Sequence, residues 1–155
     1  MNTELEELYQ QVILDHSKRP RNFGPLADAV HVHGDNPSCG DEIDLHVKFA
    51  PDGAVEDVKF TGQGCAISLA SASLMTLKLK GRARADAEKL ARAFHELVTK
   101  AEAEAPRELG DLRLLAGVQK FPQRVKCAML AWRAFEQAMR EPDAGAAVTT
   151  EAAGE

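Results

Sequence analysis

Ile43-Asp44-Leu45-His46-Val47-Lys48-Phe49 alternates apolar and polar side chains at every position, the period of a strand with one buried and one wet face. Pro51-Asp52-Gly53 supplies the turn that follows. On the N-terminal side, Val30 and Val32 alternate with His31 and His33, and the run ends at Asn36-Pro37. On the C-terminal side, Val58 and Phe60 mark a third strand that runs out at Gly62-Gln63-Gly64. Three successive strands with short connections predict an antiparallel meander, because only antiparallel neighbours can be joined by tight loops.

The remaining chain has helical periodicity. Leu5, Leu8, Val12 and Ile13 predict an amphipathic helix over about residues 3–16, broken by Pro20 and Gly24. Ala66 to Met75 reads as a helix whose many small side chains would let it approach the sheet closely, and Gly81 stops it. Leu90, Phe94, Leu97, Val98 and Ala101 share one face of the next helix, which Pro106 closes. Leu109 to Ala116 predicts a shorter turn or helix. The last helix starts near Pro122, a residue suited to a first turn, and buries Val125, Ala128, Met129, Trp132, Phe135 and Met139. The expected fold class is α+β, a three-stranded antiparallel meander packed against about five helices. One domain is expected over residues 1–141, with an Ala-, Gly- and Thr-rich tail over 142–155 expected to be disordered.

With 155 residues, of which 45% are hydrophobic and 28% charged, the chain can bury a full core without disulfides or a structural metal. A net charge of −5 with no basic run argues against a nucleic acid partner. No window approaches the roughly 18 consecutive apolar residues that a membrane helix needs, so no membrane partner is expected. The start, Met1-Asn2-Thr3-Glu4-Leu5-Glu6-Glu7, is acidic and unlike a signal peptide. A cytosolic location is expected, where a reducing environment keeps three cysteines as thiols.

Those cysteines fall at the edges of predicted elements. Cys39 lies in the loop Asn36-Pro37-Ser38-Cys39-Gly40-Asp41, where a thiolate and the carboxylate of Asp41, two residues on, can face one centre. Cys65 opens a helix, next to unpaired backbone N–H groups and the positive end of the helix dipole, which lowers a thiol's pKa. Cys127 sits in the first two turns of the last helix beside Arg124 and Lys126, whose charges are expected to favour its thiolate. Three thiolates and one carboxylate satisfy four-coordinate zinc, and thiolates equally suit iron–sulfur clusters. Against this stands the ordinary role of an isolated cysteine as a small buried hydrophobe, which would leave only an α+β interaction domain. His31, His33 and His46 fall on the polar side of their strands and are expected to face solvent. Gly62-Gln63-Gly64 lacks the third glycine and the lysine of a phosphate loop.

Asp15-His16, Pro20-Arg21-Asn22, Asn36-Pro37-Ser38-Cys39-Gly40-Asp41, Gly62-Gln63-Gly64-Cys65-Ala66-Ile67-Ser68 and Arg124-Val125-Lys126-Cys127 stand in one order along the chain. Together they resemble the U-type family of iron–sulfur cluster assembly proteins, related to IscU and the NifU N-terminal domain, over about residues 5–140. Lys126 replaces the histidine that the IscU-like scaffold branch carries before its last cysteine. Cys65 and Cys127 are 62 positions apart, a longer spacer that is similar to the SufU-like branch. The resemblance implies a SufE/IscU-like fold and a zinc-dependent sulfurtransferase in which Cys39, Asp41, Cys65 and Cys127 ligate the metal. It implies a SufS-like cysteine desulfurase partner, to which pyridoxal phosphate belongs, whose histidine displaces Cys39 from zinc. Cys39 then accepts persulfide sulfur with Arg124 supporting the site, and passes it to a downstream iron–sulfur scaffold complex. A monomer is expected. The competing implication is a scaffold that builds a 2Fe-2S cluster, or binds iron, on the same ligands. The resemblance leaves Asp15-His16 and Pro20-Arg21-Asn22 without a role.

Overall fold

The strands form where the alternation places them: β1 (Val30–Asn36), β2 (Asp41–Phe49) and β3 (Val55–Gln63). The computed structural model describes residues 3–100, 106–140 and 146–149. Ile43, Leu45 and Val47 of the central strand are fully excluded from solvent, whereas Glu42 and Lys48 are exposed on the opposite face. Antiparallel pairing sets Val32 opposite Leu45 and Leu45 opposite Phe60, so three strands contribute to one apolar layer. The three-stranded meander is as expected.

The sheet then goes one strand further. Ala146–Thr149 forms β4 and runs parallel to β1, giving the order β3-β2-β1-β4. This corrects the expectation of a disordered tail for those four residues; 142–145 and 150–155 lie outside the described residues. The cause is local: β1 offers a free edge of backbone donors and acceptors, and Val148 and Thr149 are good strand formers.

Four α-helices, α1 (Thr3–Lys18), α2 (Ala66–Leu79), α3 (Arg84–Thr99) and α4 (Pro122–Arg140), lie on the inner side of the sheet, α2 and α4 against the strands, α1 against α2 and α3 against α4. A 3-10 segment spans Arg107–Lys120 between the last two, so the helical elements number about five, as expected. Of the α1 stripe, Ile13 is buried, while Leu5 and Leu8 fall outside the described side chains. Ala101, assigned by periodicity to the α3 face, also lies outside the described residues. No described helix is long and apolar enough to cross a membrane.

Small side chains on α2 serve helix packing more than approach to the sheet, since α2 lies chiefly against α1 and α4. Ser71 Oγ donates to the Ala128 carbonyl at 2.6 Å and accepts from Trp132 Nε1 at 3.2 Å, tying α2 to α4 inside the core. Trp132 in turn stacks on Phe94 of α3, with ring centroids 4.8 Å apart. The 3-10 segment buries Leu109, Leu112, Leu115 and Val118, a spacing of three that matches three residues per turn and keeps all four on one side. It kinks at Gly110.

Asp15-His16 and Pro20-Arg21-Asn22 clamp the N-terminal segment onto α2. Buried His16 shares a 2.7 Å hydrogen bond between Nδ1 and Ser73 Oγ, which also accepts from the Arg21 backbone N–H at 2.8 Å. Asn22 Nδ2 donates to Thr76 Oγ1 at 2.9 Å, and the Arg21 guanidinium pairs with Asp15 at 2.6 Å. This last pair is partly exposed and adds little beyond orientation.

Candidate metal centre

Asn36 and Asp41 face each other as the last pair of the β1–β2 ladder, so Pro37-Ser38-Cys39-Gly40 forms a four-residue hairpin loop. The Cys39 backbone N–H donates to the Asn36 carbonyl at 3.2 Å, curling the loop back over the strand ends. Asp41 is the first residue of β2 and belongs to its inward-facing set, which leaves its carboxylate 1% exposed. A carboxylate so buried needs partners. Oδ1 accepts from the Cys65 backbone N–H at 2.8 Å, and Oδ2 accepts from Asn36 Nδ2 at 3.1 Å.

Cys65 reaches this carboxylate because β3 ends in two glycines. A Cβ at Gly64 would collide with Asp41 Oδ1, and one at Gly62 would collide with the Glu42 carbonyl oxygen. Gly62-Gln63-Gly64 is therefore a close-approach element between β3 and the start of β2. Cys65 caps α2, and its Sγ accepts from the Ser68 backbone N–H at 3.5 Å. Its Sγ lies 3.9 Å from Asp41 Oδ2.

The third thiol arrives from α4. Cys127 is fully buried, its Sγ 3.3 Å from Cys39 Sγ, and Asn36 Nδ2 donates to it at 3.5 Å. Ligand atoms of Cys39, Asp41 and Cys127 all lie within 4.8 Å of one another. Cys65 stands at the edge of that trio rather than within it. Asn36, which bonds to both Asp41 and Cys127, was not legible as a site residue: an asparagine before a proline at a strand end reads simply as a turn.

Electrostatics divide the thiols. A hydrogen bond from Cys127 is the chief cause that lowers the Cys65 thiol to about 6, opposed by burial and helped by the Ser68 N–H. Cys127 is correspondingly pushed far up, first by donating to Cys65 and then by burial. Arg124 favours a Cys127 thiolate, as expected, through its charge and a hydrogen bond, but the contact with Cys65 and burial outweigh it, so negative charge is favoured on Cys65. Arg124 feels that charge, since the Cys65 thiolate is the main cause raising its guanidinium above the ordinary value. Three sulfurs and one carboxylate of this kind form a donor set that fits zinc, whose thiolate sites combine short S and O bonds in four-coordinate geometry.

The family described as the NifU-like N terminal domain matches residues 8–128 of the chain. The chain is 45% identical over 144 residues to the zinc-dependent sulfurtransferase SufU of Bacillus subtilis, with 93% of this chain and 97% of that one covered. It is 48% identical over 138 residues to the iron-sulfur cluster assembly scaffold protein IscU of Streptococcus pyogenes, covering 89% of this chain and 86% of that one. The N-terminal part of a nitrogen-fixing NifU-like protein from Brucella abortus shares the fold, with a TM-score of 0.79 at 20% identity over 92% of this chain and all of that chain.

Proposed function

The chain belongs to the family of NifU-like N-terminal domains, and from that premise we propose that it is a zinc-dependent sulfurtransferase for iron–sulfur cluster assembly. The observation that carries this reading is the convergence of Cys39 and Asp41, from the β1–β2 hairpin loop and the start of β2, with Cys127 from α4, and with Cys65 beside them. Cys39, Asp41, Cys65 and Cys127 would hold the metal. Bound there, zinc would keep the sulfurs as thiolates at neutral pH and rigidify the loop that carries Cys39.

Cys39 is the sulfur acceptor. It sits in the hairpin loop between exposed Ser38 and exposed Gly40, whereas Cys127 is sealed in the core. Its thiolate attacks the outer sulfur of a persulfide on a pyridoxal phosphate-dependent cysteine desulfurase. The partner's S–S bond breaks as the new one forms, the donor leaves as a thiolate, and Cys39 becomes the persulfide. Arg124 steadies negative charge on sulfur during the exchange, and Asn36 and the Cys65 N–H keep Asp41 aimed at the centre. The persulfide then passes to a downstream iron–sulfur scaffold, with the protein working as a cytoplasmic monomer.

Incubation with a cysteine desulfurase and cysteine, followed by thiol-blocking peptide mass analysis, tests this directly. A persulfide on Cys39, lost in Cys39→Ala, is expected; transfer that persists in Cys39→Ala would remove the proposal. A second reading, a scaffold carrying a 2Fe-2S cluster on the same residues, is favoured by the similarity to the Streptococcus protein. Lys126, standing where the scaffold branch has a histidine, weighs against it. Anaerobic reconstitution with iron and sulfide separates the two: retained zinc and no cluster supports the carrier, and a stable transferable cluster supports the scaffold.

A further inference from the structure

The outer face of the sheet carries a second cluster of imidazole and carboxylate side chains, separated from the thiol centre by the sheet itself. His31 and His33 are two apart on β1 and so project from the same face. Pairing sets His31 opposite His46 and His33 opposite Asp44, which arranges three imidazoles and one carboxylate as a two-by-two patch. Asp41, Ile43 and Leu45 alternate with Asp44 and His46 along β2 and point the other way, into the core.

The contacts within the patch are short. Asp44 Oδ1 is 2.8 Å from His31 Nε2 and 2.9 Å from His33 Nδ1, so one oxygen serves two ring nitrogens. Glu42 Oε1 lies 3.8 Å from His33 Nε2 and adds negative charge at the rim. The His31 and His46 rings stack with centroids 4.8 Å apart and 9° between their planes. Two ligands bonded to one tetrahedral ion at roughly 2.0–2.1 Å stand about 3.3 Å apart, so to become co-ligands these hydrogen-bonded pairs must open by about half an ångström and both rings must turn toward one point.

We propose that His31, His33 and Asp44 form a second site, for a divalent transition-metal ion, on the outer face of the sheet. Nitrogen and oxygen donors without thiolate select borderline cations such as zinc, cobalt or nickel rather than soft ones. Lys59 lies opposite His46 on β3, and its charge places the ion toward β1 and away from His46. Water completes the coordination on the solvent side. Such a site is open and exchangeable, unlike the buried thiol centre.

The test begins with protein holding one equivalent of zinc and dialyses it to equilibrium against free zinc. Wild type is expected to take up a second equivalent, and His31→Gln and His33→Gln, made separately, are expected to stop at one. Melting curves of the one-equivalent forms should coincide, since these side chains are not part of the core. Imidazole proton resonances of His31 and His33 should shift with the second equivalent and not with the first. Saturation of wild type at one equivalent, or a second equivalent retained by both variants, overturns the proposal. Neither result bears on the thiol centre, which is filled before the titration starts.

Discussion

Asp41 is where the candidate centre is most tightly built, since one buried carboxylate accepts from Cys65 N–H and Asn36 Nδ2 while facing two sulfurs. Asp41→Ala strips one buried and one part-buried donor of their acceptor, a cost of about 1–3 kcal/mol each at most, and removes a ligand. The variant is expected to fold, with a lower denaturation midpoint and weaker zinc retention against a chelator. An unchanged midpoint together with unchanged retention would take Asp41 out of the ligand set. Gly64→Ala drives a methyl group into the Asp41 carboxylate and should cost about 1–3 kcal/mol, as overpacking does, with zinc loss in parallel. At this scale Cys39, Asp41, Cys65 and Cys127 could be singled out as candidates because thiol and carboxylate chemistry in loop and helix-start contexts can be read locally, and the structure brings the ligand atoms of Cys39, Asp41 and Cys127 within 4.8 Å of one another. Asn36 and Gly64 were not, because their roles exist only once β1, β3 and α4 meet.

Elements follow the same division. The strands were legible from alternation alone, and Leu109, Leu112, Leu115 and Val118 carry the 3-10 period openly, although a turn or short helix was expected there. The partner of α2 was not legible, since small residues permit close approach without saying to what. Ser71→Leu is expected to force α2 from α4 and destabilise by about 1–3 kcal/mol in chemical denaturation, with loss of the Trp132 hydrogen bond visible in near-ultraviolet dichroism. The clamp of α1 on α2 adds a pH dependence. Burial, then the Arg21 charge, lowers the His16 imidazole below its ordinary 6.5, so the unfolded chain binds protons that the folded chain refuses. Stability is fully present above 6.5 and declines as pH falls below it. His46, lowered by burial and by His31, acts in the same direction. His16→Gln should flatten part of this slope between neutral pH and pH 5; a slope identical to wild type would show that the clamp histidine does not titrate.

Across the whole molecule, a continuous core joins the inner face of the sheet to all the helical elements, with Trp132, Phe94, Phe135 and Phe60 among its largest buried members. That core is extensive enough that it is expected to form without a bound metal ion. Chelation is therefore expected to lower the melting temperature while leaving far-ultraviolet dichroism unchanged, and collapse to an unfolded chain on chelation would contradict it. The parallel strand β4 was invisible in the sequence because four residues in an Ala- and Gly-rich segment carry too little pattern; only the free edge of β1 makes them a strand. The central claim is that four residues from distant parts of the chain surround one zinc ion. X-ray absorption at the zinc edge of the purified protein measures that shell directly. Three sulfur neighbours at about 2.3 Å and one oxygen at roughly 2.0–2.2 Å are expected. A shell of nitrogen and oxygen alone would contradict the account.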